Sequence, residues 1–340
     1  MLLNRRHFVR NLAMSAAAAP LGARLAAAAG MTKVRLQFGW LANVEYAGIF
    51  IGLEKGYFKQ EGVDVSFAAG GPNAPDPLVV VAAKSADLGF TSWLPFLDAL
   101  AKGNDFIIVG AQFQQSPLGI ISLAKKPILK AQDIVGKKIL AQSPAEKTAI
   151  DATLALAGLP QQWTMVTTGF SPEPLLAGDG DGYTAFSTNQ TITLEKLGLK
   201  NGKDFFFVSF DQLGLHRYDD IIFGERAWIE ANRAAVIGFL RGYIKGLKDN
   251  ARDPKVAAEL VIKKYGVDYG LDLAQQIREN ELQQPLFYPI GQPSHPLLTV
   301  DKDVMAGTMY AAAKASGRSK LPDVDRIADF TLAVEANKGA

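Results

Sequence analysis

The chain has 340 residues, of which 48% are hydrophobic and 21% are charged, and its formal net charge is +2. It contains no cysteine, which excludes disulfides, thiolate metal sites and cysteine nucleophiles. No basic stripe or charge run is present, so we expect no nucleic acid partner. The length is sufficient for two lobes of ordinary size, each with its own hydrophobic core.

Residues 1–29 have the composition of an export signal. Arg5 and Arg6 form a twin arginine ahead of an alanine-rich stretch, and residues 26–29 form a small-residue cleavage region. Arg24 interrupts the stretch and leaves an apolar run too short for a spanning helix. This segment holds four arginines and no acidic residue, so its removal changes the formal charge from +2 to about −2. We therefore predict export by the twin-arginine pathway and a periplasmic location.

From residue 33 onward, short apolar strands alternate with helical segments, which is typical of parallel βαβ construction. The predicted strands are 34–38, 63–67, 86–90, 106–111, 119–123, 137–140, 165–168, 181–186, 205–210 and 220–223. The chain then becomes almost wholly helical, with an irregular connection at 285–298 that contains four prolines. We predict an α/β fold of two lobes, each a mostly parallel sheet flanked by helices, joined by two hinge crossings. The first lobe comprises 30–122 and 221–340, and the second lobe comprises 123–220.

Residues 38–58 leave the first predicted strand and enter a helix, which is where small ligands bind in open α/β sheets. Trp40, Asn43, Glu45 and Tyr46 all lie in the turn between them. The turn therefore offers an aromatic face, an amide and a carboxylate within seven residues, and we predict that all four side chains bind the ligand. In the alternative interpretation, the two aromatic residues belong to the core and Glu45 is solvated.

Several segments along the chain match the pattern of a known family. The matching residues are Trp40, Asn43, Ala47-Gly48, Gly56-Tyr57-Phe58, Gly62-Val63, Gly70-Gly71-Pro72, Ala86-Asp87-Leu88-Gly89 and Asp133-Ile134-Val135-Gly136-Lys137-Lys138. The chain resembles the periplasmic substrate-binding proteins of ABC importers, in the branch that takes thiamine pyrimidine precursors, riboflavin, nitrate, taurine and other sulfonates. Two positions depart from the family pattern, because its proline is Ala42 here and its histidine is Tyr46.

The resemblance implies a type II periplasmic-binding-protein fold that closes on a small-molecule ligand by hinge motion. It also implies a monomer that delivers the ligand to permease subunits and uses no cofactor. Ser92 and Trp93 stand where family members usually place ligand contacts. Further predicted contacts are Gln114, Tyr183, Asn189 and Tyr218, of which Gln114 could equally be a polar loop residue and Tyr218 could face solvent. Ser143 is most simply a helix N-cap with Glu146 as its capping-box partner.

The predicted loops contain aromatic residues, amides and a carboxylate but no lysine or arginine in the two main ones. This favours a neutral or cationic heterocycle, such as a thiamine precursor, over nitrate or a sulfonate. Arg217 or Lys147 could turn inward and reverse that preference. Fungal thiamine-pyrimidine synthases resemble the same family and use a cysteine-rich motif and a histidine, which this chain lacks at Tyr46. We therefore predict a receptor and not an enzyme, with His216 and His295 in structural roles.

Overall fold

The computed structural model describes residues 30–71 and 73–340, so the predicted export signal lies outside the described residues. This part of the chain forms two five-stranded sheets. The first sheet contains β1 (Thr32–Gln37), β2 (Val63–Ala68), β3 (Leu88–Thr91), β4 (Phe106–Phe113) and β10 (Asp219–Glu225). The second contains β5 (Leu118–Leu123), β6 (Lys138–Ala141), β7 (Thr164–Thr167), β8 (Gly182–Phe186) and β9 (Phe205–Ser209). Every strand predicted from the sequence is present, with ends that differ by a few residues.

The strand order is β2-β1-β3-β10-β4 in the first sheet and β7-β6-β8-β5-β9 in the second. Strand β1 pairs in parallel with β2 and β3, and β6 pairs in parallel with β7 and β8. Strands β10 and β5 run antiparallel to both of their neighbours. Both sheets are therefore mixed but mostly parallel, because four strands of each run in one direction and the fifth, which enters from the opposite lobe, runs against them.

The chain passes between the sheets at residues 114–117 and 210–218. The lobe boundaries predicted at residues 122 and 220 differ from these crossings, because they place β5 in the first lobe and divide β10 between the two lobes. Strand β5 hydrogen-bonds to β8 and β9 and therefore belongs to the second lobe. Its residues are as apolar as those of β4, so the sequence pattern alone does not show that Pro117 separates strands of different sheets.

Helices flank both sheets, and none in the described part of the chain is long and apolar enough to cross a membrane. The α-helices are Ala47–Glu54, Tyr57–Gln60, Pro77–Ala82, Trp93–Ala101, Pro144–Leu156, Glu173–Ala177, Gln190–Lys196, Arg226–Ala231, Arg233–Arg252, Pro254–Leu260, Leu273–Gln283, Lys302–Val304, Tyr310–Ala315 and Leu332–Asn337. The 3-10 helices are Val44–Tyr46, Ala131–Ile134, Val267–Tyr269, Gln284–Phe287 and Val324–Arg326, and the π-helical turns are Val261–Tyr265 and Met305–Met309.

The longest helix, Arg233–Arg252, lies directly against helix Ala47–Glu54, which follows the predicted ligand loop. The two backbones meet at Gly48 and Gly246, where a Cβ atom on Gly246 would lie 1.9 Å from the Gly48 carbonyl oxygen. Only glycine permits such an approach, since real Cβ contacts are well beyond that distance. Direct packing between the two backbones therefore positions the start of helix Ala47–Glu54, which we call the site helix.

Candidate ligand-binding cleft

A cavity of about 420 Å³ lies between the two lobes and is lined from both sides. The first lobe contributes residues from the loop 39–45, from the end of β3 and from the start of β10. The second lobe contributes residues 142–146 before and within helix Pro144–Leu156, and residues 186–190 after β8. Small-molecule sites have volumes of about 300–1,000 Å³, so this cavity suits a ligand of one or two rings.

The loop 39–46 is held from beneath by Tyr46. The Tyr46 hydroxyl accepts hydrogen bonds from the backbone amides of Gly39 and Trp40, each at 3.1 Å. Its ring stacks on Phe38 with the ring centroids 3.8 Å apart, and the side chain is fully buried. Asn43 caps the short helix Val44–Tyr46, because its Oδ1 accepts from the amide of Glu45 at 3.2 Å.

A polar helix face holds the same loop from the other side. Gln276, Glu279, Asn280 and Gln283 recur at helical spacing in Leu273–Gln283, and all are buried. Gln276 Oε1 accepts from the Val44 amide at 3.0 Å, and Gln283 Nε2 donates to the Val44 carbonyl at 2.7 Å. Glu279 Oε1 accepts from Asn43 Nδ2 at 2.9 Å. Both backbone groups of Val44 are thus satisfied by side chains of one helix, and these hydrogen bonds fix the loop.

Carboxyl groups dominate the charge of the cleft. Six line it, namely Glu45, Asp76, Glu146, Asp219, Asp220 and Glu279. Burial raises the pKa of Glu45, and the neighbouring polar groups of Asp220 and Tyr46 oppose part of that shift. Burial and the charges of Glu45 and Asp219 hold the pKa of Asp220 well above its usual range. Burial, with a smaller effect of Glu45, raises the pKa of Glu279 to about 8.

Arg217 is the one lysine or arginine that lines the cleft within the described ranges. Its Nη2 lies 3.7 Å from Asp219 Oδ2 and 3.4 Å from Ser116 Oγ. Asp219 also accepts from Ser92 Oγ at 2.8 Å and from Ser116 Oγ at 2.9 Å. Lys147, the other cation considered from the sequence, pairs instead with Asp151. The charge of Arg217 is therefore offset by Asp219, and no further lysine or arginine of the described residues lines the cleft beside the remaining carboxyl groups.

Aromatic rings stand on both walls of the cleft. The first lobe supplies Trp40, Phe90 and Phe113, and the second lobe supplies Phe170 and Phe186. Phe170 is 65% exposed and Phe186 is 36% exposed, although both are large apolar side chains. Exposed aromatic faces across a cleft can stack on a flat ligand. Sequence reasoning did not select these two residues, although each follows the end of a strand in the second lobe.

Of the ten predicted binding residues, the structure brings five to the cleft wall, namely Trp40, Asn43, Glu45, Ser92 and Asn189. Contact between these five residues and a ligand remains a prediction. The other five lie outside the cavity lining and are buried, namely Tyr46, Trp93, Gln114, Tyr183 and Tyr218. For Tyr46 the alternative interpretation as a core aromatic is correct.

The other four buried residues also find hydrogen-bond partners within the protein, although the Oε1 atom of Gln114 has none among the described residues. Trp93 Nε1 donates to the Met309 carbonyl at 3.1 Å, and Gln114 Nε2 donates to the Thr299 carbonyl at 2.8 Å. The Tyr183 hydroxyl donates to the Gly169 carbonyl at 2.7 Å, and the Tyr218 hydroxyl accepts from the Asp301 amide at 3.0 Å. Buried aromatic and amide groups of this kind usually have internal partners, which explains why they do not face the cleft.

Two residues interpreted as a helix cap line the cleft instead. Ser143 stands at the N-cap position of helix Pro144–Leu156, but its side chain makes no capping bond. Glu146 accepts from the Gln142 amide and from Thr184 Oγ1, each at 2.5 Å. The capping-box interpretation is therefore wrong. Glu279 was missed altogether, although the polar spacing of residues 276–283 was a usable signal.

Two α/β lobes that enclose a cleft lined from both sides, with two chain crossings between them, define a two-lobed binding-protein fold. The fold resembles the periplasmic aliphatic sulphonate binding protein SsuA from Escherichia coli, with a TM-score of 0.66, 17% identity and coverage of 87% of this chain and 97% of that one. It also resembles the periplasmic nitrate-binding protein NrtA from Synechocystis PCC 6803, with a TM-score of 0.55, 14% identity and coverage of 91% and 89%. These similarities confirm the predicted fold.

Residues 43–257 match the family described as NMT1/THI5 like, and the chain belongs to this family. One relative is the 4-amino-5-hydroxymethyl-2-methylpyrimidine phosphate synthase of Legionella pneumophila, 26% identical, with 80% of this chain and 83% of the relative covered. Another is the formylaminopyrimidine-binding protein of Halalkalibacterium halodurans, 24% identical, with 73% of this chain and 75% of the relative covered. The predicted resemblance to this branch is thus confirmed at the level of family and fold.

Proposed function

We propose that the protein is a receptor that binds a small aromatic nitrogen compound, of the thiamine pyrimidine precursor type, and delivers it to an ABC permease. The observation that carries this proposal is the combination of aromatic rings on both walls with carboxyl groups that outnumber the one lysine or arginine of the described lining. Amino and amidine groups donate to carboxylates, while a flat ring stacks on the aromatic walls. The name of the Halalkalibacterium relative, a formylaminopyrimidine-binding protein, is consistent with this ligand class.

The alternative is a nitrate or sulfonate receptor, since proteins with those names share the fold. Small anions require donors or cations that are free to meet them. In this cleft Arg217 is the single lysine or arginine of the described lining, and it lies beside Asp219. An anion would also approach Glu45 and Asp220, whose carboxyl groups repel it. The charge of the cleft therefore favours a neutral or cationic ligand.

A synthase function is the second alternative, because several relatives carry that name. The sequence contains no cysteine, and the position of the family histidine is occupied by the buried Tyr46. His216 Nδ1 lies 2.5 Å from Asp211 Oδ1, and His295 Nε2 lies 2.9 Å from Thr299 Oγ1. Neither histidine is among the residues that line the cleft. These observations favour a binding protein over an enzyme.

A thermal-shift screen tests the ligand class. The protein is heated with aminopyrimidines, thiamine and flavins in one set and with taurine, alkanesulfonates and nitrate in the other. A ligand at 100 times its Kd stabilises the native state by about 2.7 kcal/mol. We expect a rise in unfolding temperature with the nitrogen heterocycles. A rise only with sulfonates or nitrate would overturn the proposed ligand class.

The Trp40 ring provides a direct test of the cleft. We expect Trp40→Ala to weaken the binding of an aminopyrimidine by about fivefold or more in calorimetry, since an aromatic contact contributes about 1 kcal/mol. Trp40→Phe should retain most of the affinity because it keeps an aromatic face. Trp163→Ala, in the second lobe and outside the cavity lining, serves as the matched control. Equal affinities for the Trp40 and Trp163 alanine variants would show that Trp40 does not contact the ligand.

Delivery to a permease requires export, and we propose the twin-arginine route for this step. The proposal is supported by the sequence of residues 1–29 alone. Replacing Arg5 and Arg6 together with lysine should leave the protein in the cytoplasmic fraction of the cell. Recovery of the double variant from the periplasm would contradict the proposed route, while the ligand assays would remain valid.

A further inference from the structure

Three carboxyl groups meet at one side of the cleft although they come from distant parts of the chain. Glu45 lies in the short helix Val44–Tyr46, Asp220 in β10, and Glu279 in helix Leu273–Gln283. All three residues line the same cavity, and the nearby charge of Glu45 adds to the raised pKa of both Asp220 and Glu279. We refer to these three residues as the acid cluster.

The donors around the acid cluster are few and uncharged. Glu279 accepts from Asn43 Nδ2 and from Gln276 Nε2, each at 2.9 Å. Asp220 Oδ2 is buried and has no hydrogen-bond partner among the described residues. The cluster therefore contains a buried acceptor oxygen that no group of the described chain satisfies, and such an oxygen is costly unless something else occupies the site.

The charged and titratable groups that face the cluster do not supply the missing positive charge. Tyr46 and Tyr243 are buried beside it, and burial followed by the nearby carboxylates raises the pKa of both, so they stay neutral. Asp219 adds a negative charge, which is offset by Arg217 at 3.7 Å. Asp76 and Glu146 add further carboxyl groups to the cleft lining. The Nε atom of Arg217 is buried and unpartnered within the described chain, and the whole residue is 8% exposed.

Two buried carboxyl groups that lie close together cannot both be ionised at low cost, because their like charges repel each other. A third buried carboxyl nearby increases that cost. Burial, with the charges of its neighbours, holds the pKa of Asp220 well above its usual range, and the pKa of Glu279 is raised to about 8. At neutral pH the empty acid cluster therefore retains at least one proton that exposed carboxylates would have released.

We propose that Glu45, Asp220 and Glu279 form one acceptor for the positively charged nitrogen of the ligand, which enters in exchange for a proton held among these carboxyl groups. This inference rests on the proposed function and narrows the ligand to amidines, amino-heterocycles and other nitrogen bases. A ligand that is already a cation displaces the proton to solvent. A neutral base instead takes the proton onto its own nitrogen, so that none reaches the buffer.

Calorimetry in buffers of different ionisation enthalpy measures this exchange. The full chain is titrated at pH 7 with benzamidine, a flat permanent cation, with neutral 4-aminopyrimidine, and with benzamide, which is similar in shape but uncharged. We expect benzamidine binding to release about one proton, 4-aminopyrimidine binding to release almost none, and benzamide to bind more weakly than either. Between pH 6 and pH 8 the benzamidine affinity should increase up to about tenfold per pH unit, and the proton release should disappear near pH 9.5.

Glu279→Gln removes one titrating group while keeping acceptor and donor atoms in place. We expect this variant to release less than half a proton with benzamidine and to bind it about tenfold more weakly or worse. Glu281→Gln, two residues along the same helix and exposed, is the matched control and should behave like the unmodified chain. If Glu279→Gln does not fold, Asp220→Asn replaces it, because asparagine tolerates the left-handed backbone at position 220, where φ is 47°.

The possible outcomes separate the two proposals. Binding of benzamidine without proton release would overturn the exchange while leaving the receptor proposal intact. Normal proton release in both Glu279→Gln and Asp220→Asn would overturn the assignment to these residues. Binding of methanesulfonate or nitrate without binding of any of the nitrogen compounds would overturn the proposed ligand class, and the exchange would be lost with it.

Discussion

Replacing Gly246 with alanine tests whether the site helix is positioned by direct backbone contact. The added Cβ would lie 1.9 Å from the Gly48 carbonyl oxygen and 2.8 Å from its carbonyl carbon. Both atoms belong to the backbone of helix Ala47–Glu54, so no side chain can rotate to relieve the overlap. We expect the two helices to be forced apart next to the loop that holds Glu45.

The magnitude follows from two opposing effects. Overpacking in a close contact costs about 1–3 kcal/mol, and the backbone overlap places this case near 3 kcal/mol. Alanine in place of glycine within a helix recovers about 1 kcal/mol of conformational free energy. The net expectation is a loss of about 2 kcal/mol, which corresponds to a fall of about 3 °C in unfolding temperature for a chain of this size.

The assay is thermal unfolding followed by circular dichroism, with Gly307→Ala as the matched control. Gly307 is exposed in the helical turn Met305–Met309, and a Cβ there would meet nothing within 4 Å. The control should therefore show only the gain in helix propensity and unfold at the same or a slightly higher temperature. If Gly246→Ala unfolds no earlier than the unmodified protein, the close contact between these two helices is wrong.

Three other predictions concern polar contacts. Asn280→Ala breaks a buried reciprocal amide pair with Asn250, at 2.7 and 2.8 Å, so we expect urea denaturation to show a loss of about 1–3 kcal/mol; an unchanged midpoint would contradict this. Arg278→Gln removes two hydrogen bonds, at 3.0 and 3.1 Å, to Glu195 of the other lobe. Small-angle X-ray scattering should then show a larger radius of gyration for the empty protein, and an equal radius would argue against a role in lobe closure. Burial raises the pKa of Glu279 from 4.5 to about 8, so its stabilising contribution is complete below pH 4.5 and is lost as the pH rises through 8. The unfolding temperature should therefore fall between pH 5 and pH 9, and fall less steeply in Glu279→Gln.

The strands and most helices could be predicted because their residues repeat at the periods of those structures. Apolar runs such as 106–111 are long enough to identify a buried strand, and the structure has β4 there. The sheet to which a strand belongs could not be predicted in this way. Strands β4 and β5 are both apolar and only four residues apart, yet they belong to different lobes because of hydrogen bonds to distant strands.

The predicted binding residues form two groups, those that line the cleft and those whose polar groups have partners inside the protein. Trp93 follows a strand just as Ser92 and Asn189 do, and Tyr183 lies within a strand, but carbonyl groups of the protein accept the hydrogen bonds of both aromatic side chains. Sequence position gives no information about such long-range partners. Glu279 illustrates the opposite case, since it lies 234 residues after Glu45 in the sequence and reaches the same cleft.

The sequence by itself determined the order of strands and helices, the absence of thiol chemistry, the family resemblance and the polar, aromatic character of the loop around Trp40. These properties depend on residue type and short-range spacing. Only the tertiary structure decided which carboxyl groups share the cleft, that Arg217 is offset by Asp219, and that Tyr46 supports the loop from the core. The charge and ionisation of a buried site depend on the distances between side chains from separate elements, and folding alone establishes those distances.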